Sequence, residues 1–178
     1  TRQAADELLY TRRDRLAVAR GELERGVEME VVDLAEVVRG VAAETPFVQV
    51  EAAPGQEVLG SPERLRQAVR NLLRNALAAG GEPSQVRAEV RSDGDVVEVA
   101  VLDRGPGLPP GEEETVFERH RSRRAGGTGL GLSVARAIAE AHEGSLTAHP
   151  RDGGGACFVV RLPTLASHFD DETEAAGA

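Results

Sequence analysis

Four glycines occur within six positions in the segment Gly126-Gly127-Thr128-Gly129-Leu130-Gly131-Leu132, and a helical pattern follows directly, from Ser133 to Glu140. Backbone N–H groups in the first turn of a helix lack intrahelical partners, and the helix dipole adds partial positive charge there. The missing Cβ atoms allow an anion to approach closely. Glycine-rich loops also form plain turns, so this segment alone leaves phosphate binding and a simple turn equally open.

Composition restricts what the chain can bind. The 178 residues support one domain with a core built from Val, Leu and Ala. The formal charge of −9 disfavours a nucleic-acid footprint spread over the domain. All 21 basic residues are Arg, so a phosphate contact must come from Arg, backbone N–H groups or a metal. No apolar run approaches the ~20 residues that span a bilayer, but the chain starts at Thr1 rather than Met, so an anchor elsewhere stays open.

The order of predicted elements indicates the fold class. Asp33 is expected to cap a helix that runs to about Glu44, and Ser61-Pro62 to start one that ends at Ala79. Residues 85–91 and 96–102 alternate as strands around an Asp-Gly turn, and 144–149 and 156–162 form a last hairpin. Hairpins mixed with helices on one face predict a two-layer α/β (α+β) sandwich with a mixed, mainly antiparallel sheet.

Three parts are expected along the chain. Residues 1–26 are expected to form the end of a dimerisation-type helix and a linker, and the apolar stripe of that helix needs a partner. Residues 27–163 are expected to form the folded domain. Residues 164–178 are acidic and rich in small side chains, so we expect a disordered tail there.

Two further polar features accompany the glycine-rich segment. Asn71 and Asn75 stand four apart, on one face of the predicted helix beside its apolar stripe. Amide oxygens suit a Mg²⁺ ion shared with substrate phosphates, whereas solvated amides are the plain alternative. Asp103 follows an apolar strand, where its carboxylate could accept a hydrogen bond from an exocyclic amine. A simple turn in which the Asp side chain bonds the backbone is the plain alternative for Asp103.

Together these segments resemble the N, G1, F and G2 boxes of sensor histidine kinases. The segments that resemble these boxes are Asn71-Leu72-Leu73-Arg74-Asn75-Ala76, Asp103-Arg104-Gly105-Pro106-Gly107-Leu108, Val116-Phe117-Glu118 and Gly127-Thr128-Gly129-Leu130-Gly131-Leu132. Those kinases share an ATPase superfamily with gyrase, MutL and the ninety-kilodalton heat-shock chaperone. The resemblance implies a Bergerat-type ATP-binding sandwich over about residues 28–163.

The resemblance also implies a role for each matching residue. Asp103 would bond the adenine amino group, while Asn71 and Asn75 would serve catalysis by holding Mg²⁺ and the phosphates, with Asn75 the first choice as metal ligand. Residues 117–128 would form a lid whose positive charge comes from Arg119, Arg121, Arg123 and Arg124. Further nucleotide contacts are expected from Gly105, Gly107, Gly127, Thr128, Gly129, Leu130, Gly131 and Leu132.

The chain departs from the family pattern at two points. Many members have Lys and Tyr where Ala78 and Ala79 stand here, so a phosphate-facing cation is missing and the lid arginines are candidates to replace it. No histidine has the context of a phosphoacceptor. The four present are His120, His142, His149 and His168, and His142-Glu143 is expected to close the helix that follows the glycines.

The expected function is therefore the catalytic domain of a two-component histidine kinase, which transfers the γ-phosphoryl of Mg-ATP to a histidine on a dimerisation domain outside this chain. Its implied partners are that domain and a response regulator, with no nucleic acid. The fragment is expected to be monomeric, the full protein a homodimer, and this part the cytoplasmic domain of a membrane-bound bacterial sensor. Two alternatives stay open: a nucleotide-binding regulatory module without transfer, and an anti-sigma-type kinase, in which Glu usually stands at the position of Asn71.

Overall fold

A computed structural model describes residues 28–45, 47–79, 85–118 and 130–168. These residues form a five-stranded sheet with three helices, and a separate two-stranded sheet. The elements are β1 (Glu30–Asp33), α1 (Leu34–Ala43), β2 (Gln49–Ala52), β3 (Glu57–Gly60), α2 (Pro62–Ala78), β4 (Arg87–Asp93), β5 (Val96–Leu102), a 3₁₀ turn (Thr115–Phe117), α3 (Gly131–Ala141), β6 (Ser145–Pro150) and β7 (Ala156–Pro163).

The larger sheet has the strand order β2-β4-β5-β7-β6. Three of its four pairings are antiparallel, and β4 and β5 form the expected hairpin, with Asp93 opposite Val96. β2 runs parallel to β4, with Gln49 beside Arg87, while β1 pairs antiparallel with β3. The expectation of a mixed, mainly antiparallel sheet is confirmed.

The core lies between this sheet and the helices. Along β5, Val97, Val99 and Val101 point to one side and are at most 1% exposed. They lie in one cluster with the apolar stripe of α2, whose members are all buried as the sequence predicts: Leu65, Ala68, Val69, Leu72, Leu73 and Ala76. Burial of this alternating and helical pattern is what fixes α2 against the sheet.

Side-chain caps fix where the first two helices begin. The Asp33 carboxylate accepts from the N–H of Ala35 at 2.8 Å, and Ser61 Oγ accepts from the N–H of Arg64 at 3.5 Å. Both predicted caps are confirmed, and each satisfies a backbone donor that the helix itself leaves unpaired.

Two boundaries differ from those predicted. α3 begins at Gly131, two residues before the expected Ser133, so Gly131 and Leu132 are helical rather than part of a loop. Residues 164–168, assigned to the tail from sequence, are hydrogen-bonded to the domain: Thr164 N–H donates to Asp95 O and Leu165 N–H to Glu57 O, each at 2.8 Å. The folded domain therefore extends at least to His168. The helix expected within residues 1–26 and the tail from 169 lie outside the described residues.

Candidate nucleotide site

Asp103 is a buried carboxylate with one satisfied oxygen and one orphan. It follows the last residue of β5 and is 1% exposed. Its Oδ1 accepts from the N–H of Gly105 at 2.8 Å and of Ala156 at 3.2 Å. Its Oδ2 is buried and has no hydrogen-bond partner within the described residues. The turn interpretation of Asp103 is confirmed for Oδ1, and Oδ2 is the oxygen that could accept a hydrogen bond from an exocyclic amine.

The orphan oxygen restricts what can bind beside it. A buried acceptor without a donor costs about 1–3 kcal/mol, more for a charged group, so a ligand that supplies an N–H there gains this energy back. A carboxylate oxygen accepts and does not donate, so an amine fits and a carbonyl does not. An amino-bearing ring such as adenine has the required chemistry.

The glycines of the Asp103 loop permit close packing of the backbone. A Cβ on Gly105 would lie 2.6 Å from the carbonyl oxygen of Ala79, at the end of α2. A Cβ on Gly107 would lie 3.0 Å from the carbonyl oxygen of Gly155, in the turn between β6 and β7. The absence of side chains at Gly105 and Gly107 therefore allows the loop to pack against α2 and against that turn, a role that the sequence did not indicate.

Asn71 and Asn75 lie half-buried on α2, as expected. Asn71 faces the start of α3, since a Cβ on Gly131 would lie 3.9 Å from its Cβ and Cγ atoms. Ala79 follows Asn71 by eight residues, which is twice the spacing of four that keeps residues on one helix face, and it lies against Gly105. One face of α2 therefore joins the start of α3 to the Asp103 loop, over an axial length of about 12 Å at 1.5 Å per residue. Asn75 lies midway along that face.

The N-terminus of α3 has no side-chain cap within the described residues. Its cap residue, Leu130, makes no side-chain capping bond and is 37% exposed, whereas Leu132 is half-buried against the core. The first turn of a helix carries N–H groups without intrahelical partners and the positive end of the dipole, and here that turn lies beside Asn71. The other residues predicted to bind the nucleotide or to form its lid lie outside the described residues: Arg119, Arg121, Arg123, Arg124, Gly127, Thr128 and Gly129.

Arg136 on α3, which the sequence did not point to, lies next to Phe117, where the segment expected to be the lid begins. Its guanidinium carbon is 5.0 Å from the centre of the buried Phe117 ring. It also pairs with Glu114 at 2.9 Å and with Glu140 at 3.2 Å, and the bond to Glu114 raises the pKa of Arg136. Only the spacing of Arg136 and Glu140, four apart on one helix, was visible in sequence. The contact with Phe117 fixes the residues before 119 against the helix that follows 129.

His142 ends α3, as the sequence predicted, and it also joins two helices that line the site, which the sequence did not indicate. It is 7% exposed at the end of α3; its Nδ1 donates to Ile138 O at 2.7 Å, and its Nε2 accepts the N–H of Ser61, the cap of α2, at 3.0 Å. Burial lowers the pKa of His142, opposed by the bond to Ile138, and nearby Arg64 lowers it further. Both ring nitrogens are occupied and the imidazole is neutral, so His142 offers no nitrogen to a phosphoryl group.

The remaining observations concern metals and membranes. In the described ranges no group of three or more His, Cys, Asp or Glu side chains could enclose a metal ion. Asn71 and Asn75 carry amide oxygens, a type of ligand that Mg²⁺ accepts when it keeps most of its waters and takes phosphate oxygens as further ligands. No helix in the part of the chain that the structure describes is long and apolar enough to cross a bilayer.

Comparison with known protein families gives one extended match. The model described as "Histidine kinase-, DNA gyrase B-, and HSP90-like ATPase" matches residues 60–166. The sensor-like histidine kinase SenX3 of Mycobacterium tuberculosis (strain ATCC 25618 / H37Rv) is 36% identical over 140 residues, which are 74% of this chain and 34% of SenX3. Sensor protein KdpD of Escherichia coli (strain K12) is 41% identical over 97 residues, 52% of this chain and 11% of KdpD. The chain thus spans about a third or less of these curated relatives.

Solved structures agree with the sequence matches. The mycobacterial sensor histidine kinase MprB superposes with a TM-score of 0.67 at 29% identity, covering 76% of this chain and 97% of that one. Full-length ShkA in complex with AMPPNP superposes with a TM-score of 0.65 at 29% identity, covering 91% of this chain and 37% of ShkA. The expected ATP-binding sandwich of the histidine kinase type is confirmed.

Proposed function

Because the chain belongs to the histidine kinase-, DNA gyrase B- and HSP90-like ATPase family, we propose that it is the catalytic domain that transfers the γ-phosphoryl group of Mg-ATP to a histidine on a dimerisation domain outside this chain. The observation that carries the proposal is the buried, unpartnered Oδ2 of Asp103. A neighbour of the same fold, ShkA, was solved with AMPPNP, an ATP analogue.

The nucleotide lies along the face of α2. Its adenine amino group donates to Asp103 Oδ2, and its phosphates extend past Asn75 toward Asn71 and the first turn of α3. Residues 127–129 and the arginines at 121, 123 and 124, which lie outside the described residues, would supply the remaining phosphate contacts. Asn75, with Asn71 beside it, would hold Mg²⁺, which neutralises phosphate charge when bound.

The chain's own part in the transfer is positioning. The bond between the γ-phosphorus and the β-phosphate oxygen breaks, a phosphorus–nitrogen bond to the acceptor imidazole forms, and ADP is released. The imidazole nitrogen is itself the nucleophile, so the domain needs no base to deprotonate a hydroxyl or water. Asn71 is consistent with this, since an amide does not act as a base, and it disfavours the anti-sigma-type alternative.

The regulatory alternative, nucleotide binding without transfer, has one feature in its favour. Ala78 and Ala79 lack the cation and ring found at these positions in many family members, and Ala78 is exposed. If the domain does transfer phosphate, the arginines of residues 119–124 have to supply the charge that is missing at position 78. In either case we place the domain in the cytoplasm, beside a dimerisation domain and a response regulator, as part of a homodimeric bacterial sensor.

Two measurements on the 178-residue chain test the proposal. Calorimetric titration with ATP in the presence and absence of Mg²⁺ should give saturable binding that is tighter with the metal. Incubation with γ-labelled ATP should leave the chain unlabelled and should label a supplied dimerisation domain on its histidine. Binding without label on any acceptor domain selects the regulatory module, and no binding at millimolar ATP overturns both forms of the proposal.

A further inference from the structure

The turn between β6 and β7, residues 151–155, is joined to the Asp103 loop by two arginines that run in opposite directions. Arg151 Nη1 donates to the main-chain oxygen of Asp103 at 2.7 Å. Arg104 Nη1 returns to the turn, donating to Asp152 O at 2.9 Å and to Gly154 O at 3.2 Å. Arg151 is half-buried, whereas Arg104 is exposed. From sequence alone this turn is a plain hairpin connection.

Backbone contact between the turn and the loop is equally close. Gly155 has φ +99°, and a Cβ there would lie 2.0 Å from the main-chain oxygen of Asp103, so no other residue fits without displacing the loop. The next residue, Ala156, donates its N–H to Asp103 Oδ1 and accepts the N–H of Asp103. Every polar atom of Asp103 except Oδ2 is thus held, and the groups that hold it are main-chain atoms and the guanidinium of Arg151.

We infer that Arg151 is a positioning residue for base recognition: by holding the main-chain oxygen of Asp103, it aims Oδ2 at the amino group of the purine. This inference rests on the proposed nucleotide-binding function. The bond is charge-assisted and half-buried, and such bonds are about twice as strong as neutral ones. Its loss frees the main-chain oxygen of Asp103 while the two bonds between Asp103 and Ala156 remain. The carboxylate can then tilt, which weakens the amino contact more than any other contact of the nucleotide.

The test compares ATP with purine riboside triphosphate, which has the same ring, sugar and phosphates but no exocyclic amino group. Dissociation constants of both are measured for the wild-type chain, for Arg151→Met and for Arg151→Lys. Arg39→Met is the matched control, because Arg39 also donates to a main-chain oxygen, that of Ala52, away from the site. The wild type and the control should prefer ATP by roughly 10- to 150-fold, the value of one charge-assisted hydrogen bond.

Arg151→Met should reduce this preference to threefold or less while changing the affinity for purine riboside triphosphate by less than twofold. Arg151→Lys should restore part of the preference, since an ammonium also donates to a carbonyl oxygen. A preference that survives in Arg151→Met overturns the inference and leaves the proposed function intact. Equal weakening of both nucleotides also overturns it, because Arg151 then supports the fold or touches the nucleotide elsewhere. A wild type without preference for ATP overturns the proposed role of Asp103 itself.

Discussion

The substitution Asp103→Asn should reverse the preference of the site for the group at position 6 of a purine. The side-chain oxygen of the Asn can keep the two bonds that Asp103 Oδ1 accepts from Gly105 and Ala156. Its amide nitrogen then occupies the place of the orphan Oδ2. A donor thus replaces the acceptor proposed to bind the amino group of adenine. That amino group then meets N–H groups, whereas the carbonyl of a 6-oxo purine meets a partner.

The magnitude follows from the loss of one charge-assisted hydrogen bond. Such a bond contributes about 1.5–3 kcal/mol, and at about 1.4 kcal/mol per factor of ten the affinity for ATP should fall roughly 10- to 150-fold. The affinity for inosine triphosphate should rise in the same variant. The free energy of unfolding should change by less than about 1 kcal/mol, since both bonds to Oδ1 remain.

The assay is calorimetric titration of ATP and inosine triphosphate, with thermal unfolding measured on the same samples. Asp95→Asn is the matched control, because Asp95 lies exposed in the turn between β4 and β5. Thr164 donates its N–H to the main-chain oxygen of Asp95, so the substitution keeps that bond. Unchanged ATP affinity in Asp103→Asn would show that Oδ2 does not recognise the base. Loss of both nucleotides together with a large fall in melting temperature would show that the carboxylate serves the fold.

Three further substitutions test the surroundings of the site. Burial holds the pKa of His142 below its ordinary value of 6.5, so the unfolded chain takes up the proton first. The contribution of His142 to the free energy of unfolding should be fully present above pH 6.5 and should fall as pH drops toward the folded pKa, by at most about 1.4 kcal/mol per pH unit. Urea unfolding midpoints measured across this pH range should lose the slope in His142→Asn and keep it in His149→Asn. Arg136→Met should lower the free energy of unfolding by about 1 kcal/mol, and this loss should be smaller in 1 M salt, which screens the ion pairs of Arg136. A loss that does not depend on salt would show that these ion pairs do not contribute to stability. Leu72→Ala, at a site with 0% exposure, should cost about 2–5 kcal/mol in urea unfolding with an unchanged m-value, and a cost under 1 kcal/mol would contradict the packing of α2.

Local signals explain the elements that the sequence predicted well. The strand 96–102 has the predicted limits because its alternation and its Asp-Gly turn are contained within a few residues. The same alternation says nothing about Glu98, which is 2% exposed between Arg91 of β4 and Arg161 of β7. Those partners lie 7 and 63 residues away in the chain. The burial of this charge depends on strand order, and the sequence does not reveal strand order.

The candidate site divides in the same way. Asp103, Asn71 and Gly131 could be chosen because each stands at a recognisable position: after a strand, on a helix face, or at a helix start. The bonds that Arg151 and His142 make to other elements could not be predicted, because each side chain binds a main-chain group remote in sequence, 48 residues away for Arg151 and 81 for His142. A side chain that bonds a backbone atom of another element leaves no spacing pattern.

The two departures from the family pattern lie at different distances from the site. Ala78 is exposed on α2, so a longer side chain there has room and its absence removes charge alone. Ala79 is half-buried, and its carbonyl oxygen and Cβ lie where any side chain on Gly105 would have to fit. The backbone at position 79 therefore sets how close the Asp103 loop comes to α2, whatever side chain it has. In the proposed function the lid arginines offset the missing cation at position 78. The contact of Ala79 with Gly105, by contrast, has to be kept if Asp103 and Asn75 are to face one nucleotide as proposed.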